Sequence, residues 1–185
     1  MTDVFTLLET DHRRVEALLD DLAQSEKGPE REALVVRLTQ ALELHMQFEE
    51  RDVYPLLAPV DGEMVEEAEI EHGLAREGLA KMTELAAAPG FGAAVEMVKA
   101  GIGHHVEEEE HEAFPKLRSS CDAETVARLG RDLVRRKAEA GTLAEDLAAA
   151  TKESLMGLAG EYGVDGRSSM TKTQLIEALS TSLAV

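Results

Sequence analysis

Imidazole nitrogens and carboxylate oxygens four residues apart can aim at one point when the chain between them is helical. This chain holds two such stretches in matching contexts. His45-Met46-Gln47-Phe48-Glu49-Glu50 runs on to Tyr54-Pro55, and sixty positions later His105-Val106-Glu107-Glu108-Glu109-Glu110 runs on to Phe114-Pro115. Both read H-x-x-x-E-E-x-x-x-(Y/F)-P. The same offset relates Asp11-His12 to Glu71-His72. His104 and Glu108 have the ligand spacing as well, but only His105 and Glu109 stand in register with His45 and Glu49. The chemistry these residues suit is metal binding by nitrogen and carboxylate donors.

The elements that must position them read as helices. A first helix is expected over residues 2–24, with Leu8, His12, Val15, Leu19 and Leu22 on one stripe. A second runs over 29–57, where Leu34, Leu38, Leu42, His45 and Glu49 share a face. The third, over 63–87, repeats the first stripe as Ala68, His72, Ala75, Leu79 and Met82. The fourth, over 91–117, turns Val98, Ile102, His105 and Glu109 inward. Turns at Gly28-Pro29, Pro59 to Gly62 and Pro89-Gly90 separate them. Four long amphipathic helices with short connections predict an all-α, antiparallel up-and-down four-helix bundle. A fifth helix is expected over 122–150, packed on the bundle or on a partner, followed by a short helix, a glycine-punctuated loop and a second short helix. The expected division is 1–150, the bundle with its fifth helix, and 151–185, a small helix-loop-helix module.

Composition narrows the function classes. The 185 residues contain no Trp and six Phe and Tyr in all, so Leu, Val, Ala and Met must build the core. The net charge of −18 disfavours nucleic acid and anionic membranes, which attract basic surfaces. The tail from Thr151 holds three basic and four acidic residues, so nearly all of that excess lies before it. Cys121 is the single cysteine, which excludes an internal disulfide and suits a reducing compartment. With no apolar run of about 20 residues and no basic-then-apolar start, a cytoplasmic protein is expected.

On these helices His12, His45, His72 and His105 all face inward, with Glu49 and Glu109 beside them. Burying such groups without partners costs a few kcal/mol each, and metal ions relieve that cost. Nitrogen-rich donors suit iron, manganese or zinc rather than calcium. The repeat assigns His12 and His45 to one ion, His72 and His105 to a second, with Glu49 and Glu109 bridging. Tyr54 breaks the repeat, since its mate is Phe114. It is either an aromatic plug beneath the site, or a phenolate ligand or modulator of bound oxygen species. On a straight helix Tyr54 shares a face with Glu50 rather than Glu49, so the second role needs a distortion near Pro55. Glu50 and Glu110 lie about 100° round the helix from the bridging pair and are candidate outer supports of the ligands. A rival arrangement, the ferritin-like carboxylate site, would use Glu9-x-x-His12 and Glu69-x-x-His72 and leave His45 and His105 idle.

The doubled motif, with one His in each other helix, resembles the hemerythrin-like (HHE cation-binding) family over about residues 1–118. The resemblance implies two iron ions, bridged by an oxo or hydroxo group. It also implies reactivity toward dioxygen, hydrogen peroxide or nitric oxide, or a sensor of oxygen or iron. Oxygen carriers of that family place a further His where this chain has Arg76, which points away from simple oxygen carriage and toward catalase- or peroxidase-like chemistry. The tail resembles the helix-loop-helix at the N-terminus of the terminator Rho, related to SAP motifs. Leu155, Leu158, Ala159, Tyr162-Gly163-Val164, Gly166-Arg167-Ser168, Met170, Lys172 and Leu175-Ile176 carry that likeness. The expected alternatives are therefore a di-iron redox enzyme, or a non-enzymatic sensor whose tail engages a protein partner.

Overall fold

The structure is a computed structural model that describes residues 3–183. Thr2, the expected first helical residue, and the last two positions of the expected tail lie outside the described residues. The elements run α1 (Val4–Gln24), α2 (Pro29–Phe48), a π-helical turn (Glu49–Val53), α3 (Tyr54–Leu57), α4 (Gly62–Leu85), α5 (Phe91–Glu108), a second π-helical turn (Glu109–Ala113), α6 (Phe114–Ser120), α7 (Ala123–Glu139), α8 (Leu143–Ala149), α9 (Lys152–Glu161), a 3₁₀ turn (Arg167–Ser169) and α10 (Lys172–Leu183). No strand occurs among the described residues. No helix among them is long and apolar enough to cross a membrane.

The chain divides into two compact units, Leu8–Cys121 and Met1–Leu7 with Asp122–Val185. The first is the expected four-helix bundle. Pro29 opens α2, where its missing N–H costs nothing. Asp61 caps α4 by accepting from the Met64 N–H at 3.2 Å. Gly90, at φ 96°, supplies the left-handed residue that opens α5. Leu18, Leu19 and Leu22 of α1 pack with Leu38 and Leu42 of α2, Leu79 and Met82 of α4, and Val95, Val98 and Ile102 of α5. Each such Leu contributes about 1.5–3 kcal/mol on burial. That apolar layer, not the polar layer of histidines, holds the bundle together.

The second unit differs from its expectation. The fifth helix is not continuous over 122–150: it stops at Glu139 and resumes at Leu143. Gly141, at φ +73°, makes the break, and the Thr142 N–H bonds back to the Lys137 carbonyl at 3.0 Å in the manner of a Schellman motif. The C-terminal part of its apolar face is used inside this unit. Val134, Leu143 and Leu147 share one core with Leu155, Leu158, Ala159, Val164, Leu175 and Leu179. The compact units therefore part at Cys121/Asp122 rather than at 150/151, because residues on both sides of Ala150 bury one another's apolar surface.

Candidate metal centre

The four histidines and two glutamates singled out by the repeat lie in one buried layer of the bundle. His12, His45, His72, Glu49, His105 and Glu109 are each at most 5 % exposed. α1, α2, α4 and α5 bring one His each, one from every helix. The donors form two groups: His12, His45, Glu49 and Glu109; and Glu49, His72 and His105. In the first, His12 Nε2 and His45 Nε2 are 3.1 Å apart. In the second, His72 Nε2 and His105 Nε2 are also 3.1 Å apart. Two imidazole lone pairs converging at that distance repel unless a proton or a cation lies between them. Held at about 2.1 Å from both nitrogens, an ion would see them about 95° apart, which suits neighbouring corners of an octahedron.

Glu49 belongs to both groups. Its Oε1 lies 3.1 Å from His45 Nε2 and its Oε2 lies 3.5 Å from His72 Nε2. Neither oxygen accepts a hydrogen bond, and neither does Glu109 Oε2. Buried carboxylate oxygens that face only imidazole nitrogens, with no well-aligned hydrogen bond, are costly in a finished fold. They fit a pocket built for cations. Glu109 is less even-handed than the repeat suggests. Its Oε2 sits 3.3 Å from His12 Nε2 and 3.6 Å from His105 Nε2, while its Oε1 accepts from the Tyr54 hydroxyl at 3.1 Å.

The π-helical turns explain how Tyr54 arrives there. Proline has no N–H and its ring clashes with the carbonyl four residues back, so Pro55 and Pro115 cannot continue an ordinary helix. The chain adapts with i→i+5 bonds, Tyr54 N–H to Glu49 O and Phe114 N–H to Glu109 O. In an α-helix five steps overshoot one turn by about 140°. In a π turn they nearly complete one, which returns Tyr54 to the face of Glu49. The Tyr54 hydroxyl lies 3.2 Å from His72 Nε2, and its ring stacks on His72 at 5.5 Å between centroids. Phe114 stacks on His12 at 5.9 Å with no polar atom to offer.

Outside this layer each imidazole faces a carboxylate through Nδ1. His12 Nδ1 donates to Glu110 Oε1 at 2.8 Å, and His72 Nδ1 donates to Glu50 Oε1 at 3.0 Å. His105 Nδ1 donates to Glu71 Oε2 at 2.9 Å, and His45 Nδ1 faces Asp11 Oδ2 at 3.6 Å. A proton fixed on Nδ1 leaves the Nε2 lone pair pointing inward, the tautomer a metal ligand needs. Glu50 and Glu110 thus sit where outer supports were expected. Asp11 and Glu71 were not singled out for that role, although the offset of sixty that carries His12 to His72 carries them too. Each supports not the histidine beside it in sequence but one on another helix. Arg76 also has a definite task. Its guanidinium grips Glu50 with Nη1–Oε1 at 2.8 Å and Nη2–Oε2 at 3.2 Å, and reaches Glu43 Oε2 at 3.2 Å. Arg13 grips Glu110 in the other half. The ferritin-like rival finds no support in these positions: Glu9 pairs with Arg118 at 3.2 Å, and Glu69 is exposed.

Without metal the layer carries opposed charges. Burial opposes a charge on His45, but Glu49 and Asp11 outweigh it and raise its pKa to about 10. Burial is likewise outweighed at His105, by Glu109 and Glu71, to about 9. Burial and the charge of His105 push His72 down to about 4. Burial and the Glu109 charge raise Glu49, whereas His105 and His12 overcome burial to lower Glu109. Burial, then Glu109, holds the Tyr54 hydroxyl well above its ordinary range, so it enters the site as a donor.

The family model of the hemerythrin HHE cation binding domain matches residues 3–117. The chain belongs to the hemerythrin HHE cation-binding family. The match spans every residue of the six-donor layer, and membership makes the chain a metal-binding protein of a class that typically takes iron. A crystal structure of a hemerythrin HHE cation binding domain-containing protein from Mycobacterium kansasii shares the fold, with a TM-score of 0.67 at 19 % identity, over 97 % of this chain and 100 % of that one. Among curated proteins none matches.

Proposed function

We propose that the HHE layer holds two iron ions and that the loaded protein binds and decomposes hydrogen peroxide, with dioxygen and nitric oxide as further ligands. The observation that carries this reading is Glu49: buried, free of hydrogen bonds, with one oxygen toward each histidine pair. His12 and His45 would hold one ion, His72 and His105 the other. Glu49 would span both, and Glu109, whose Oε2 faces His12 and His105, would free its second oxygen only by parting from Tyr54. When bound, paired iron ions supply the reversible redox steps that peroxide decomposition needs.

The surrounding residues do the rest. The Nδ1 carboxylates fix the imidazoles, and Arg13 and Arg76 hold two of those carboxylates in place. The apolar layer and the rings of Phe114 and Tyr54 exclude bulk water. The Tyr54 hydroxyl, kept protonated and 3.2 Å from a ligand nitrogen of the second half, can hand its one hydrogen bond from Glu109 Oε1 to an incoming oxygen species. The single cysteine and acidic surface fit work in the cytoplasm.

A sensor is the second reading, favoured by the C-terminal unit having a core of its own. In it, iron or oxygen occupancy alters how that unit engages a protein partner, with nucleic acid disfavoured by charge. Catalytic peroxide turnover by iron-loaded protein, absent from the metal-free chain, supports the enzyme; a fully loaded but inert protein supports the sensor.

A further inference from the structure

The repeat fails at one cluster that the six-donor layer does not use. His104 and Glu108 stand one turn apart on α5, and sixty positions earlier the chain has Leu44 and Phe48 instead. His104 Nε2 lies 3.5 Å from Glu108 Oε1 and 3.6 Å from Glu71 Oε1, across from α4. The three donors lie within 4.8 Å of one another. An ion about 2.1 Å from each would see these oxygens about 115° from the imidazole, an opening suited to four-coordinate rather than octahedral geometry.

Two features separate this cluster from an ordinary solvated face. Glu71 is shared: its Oε2 accepts from His105 Nδ1 at 2.9 Å while its Oε1 faces His104. In addition, a groove of about 590 Å³ between α4 and α5 is lined by Glu71 and His104 and also by His72 and His105. Leu74, Met97 and Gly101 line it as well. A Cβ at Gly101 would touch nothing within 4 Å, so the groove is open there for want of a side chain rather than for packing.

We propose that Glu71, His104 and Glu108 form a third, mononuclear site for a divalent transition-metal ion at the groove's mouth. His104 is 59 % exposed, so the site exchanges with solvent. Its mixed imidazole and carboxylate donors select ions of the ferrous and zinc class over calcium. The strongly negative protein raises the local cation concentration. The groove then leads from this site to His72 and His105, which makes it a loading station for that half of the centre. An ion on Oε1 also draws charge from Glu71 and weakens its hold on His105. The loading role rests on the di-iron reading; the site itself does not.

The test is cobalt(II) titration of full-length, iron-loaded protein. One further cobalt ion per chain is expected, with the strong visible absorption of a four-coordinate ion. His104→Leu, which installs the residue of the first repeat, and Glu108→Gln should each weaken that binding by at least about 10-fold, slow iron uptake and leave the final iron content at equilibrium unchanged. Absence of the extra ion in the native protein, or unaltered cobalt binding in both variants, overturns the site. Iron is counted separately by elemental analysis. A chain that takes no iron yet binds cobalt through His104 upholds this inference and sinks the di-iron reading.

Discussion

The two halves of the centre descend from one pattern, yet they are not equivalent. Around His12 and His45 the aromatic partner is Phe114, and both Glu49 and Glu109 contribute donors. Around His72 and His105 the aromatic partner is Tyr54, whose hydroxyl holds Glu109 Oε1, and Glu49 is the one carboxylate in the tight donor group. The outer carboxylates differ too: Glu71 meets His105 at 2.9 Å, whereas the shorter Asp11 stops 3.6 Å from His45. One half thus gathers four donors and the other three. The latter keeps a protonated phenol beside its ligands and a groove at its edge. The repeat supplies the common scaffold of both donor groups, and a few departures from it make them chemically unequal; under the proposed function the first would hold its ion and the second would meet the oxygen species.

Removing what the halves share should have the largest effect. Glu49→Gln should lower the affinity of both ions by at least about 100-fold, measured by equilibrium dialysis with elemental analysis. Loss from one half alone would mean that Glu49 does not span them. His45→Ala and His105→Ala should each empty chiefly their own half.

Removing the outer carboxylates should sharpen the contrast. Glu71→Gln should weaken metal binding by about 10–100-fold, and Asp11→Asn by less, because only the former makes a short bond. Equal losses would show that the 0.7 Å difference carries no energy.

The charges of the metal-free layer give a pH signature. His45 and His105, with pKa values raised to about 10 and about 9, are protonated at pH 7, while His72, lowered to about 4, is neutral. Binding requires neutral imidazoles, so each half should release a proton as it fills at pH 7, read by an indicator dye. The same raised values stabilise the metal-free fold fully below the unfolded pKa of about 6.5, and that stability is lost as pH rises through 9–10. Its thermal midpoint should therefore fall between pH 7 and 10. A flat profile would show that these histidines are neutral in the native chain.

Tyr54→Phe should have the smallest effect on metal and fold, since it gives the second half the ring the first already has. Iron content should hold, while the optical spectrum and peroxide turnover change. An unchanged spectrum and rate would assign Tyr54 to packing.

Much of this site was legible from spacing. The offset of sixty fixes which histidines and glutamates correspond, and the four-residue interval puts each His-Glu pair on one helical face. Other features depend on contacts that spacing does not encode. Pro55 and Pro115 signal a distortion, but only the i→i+5 bonds show that it turns Tyr54 back toward Glu49. Arg76 reads as an absent ligand, yet its reach across to Glu50 makes it a support for His72. Asp11 and Glu71 stand beside one histidine in sequence and serve another across the bundle. In the second unit, the helical pattern of 122–150 is plain, but the destination of Val134, Leu143 and Leu147 is not. Gly141 folds the segment back so that it completes the core of the C-terminal unit.

The most direct measurement is the iron content of full-length protein reconstituted anaerobically, stripped of loosely held metal and analysed alongside Glu49→Gln. Two iron ions per chain in the native protein, and neither retained in the variant, are expected of a pair of sites joined by one carboxylate. A single ion per chain, or a variant that keeps both, contradicts it.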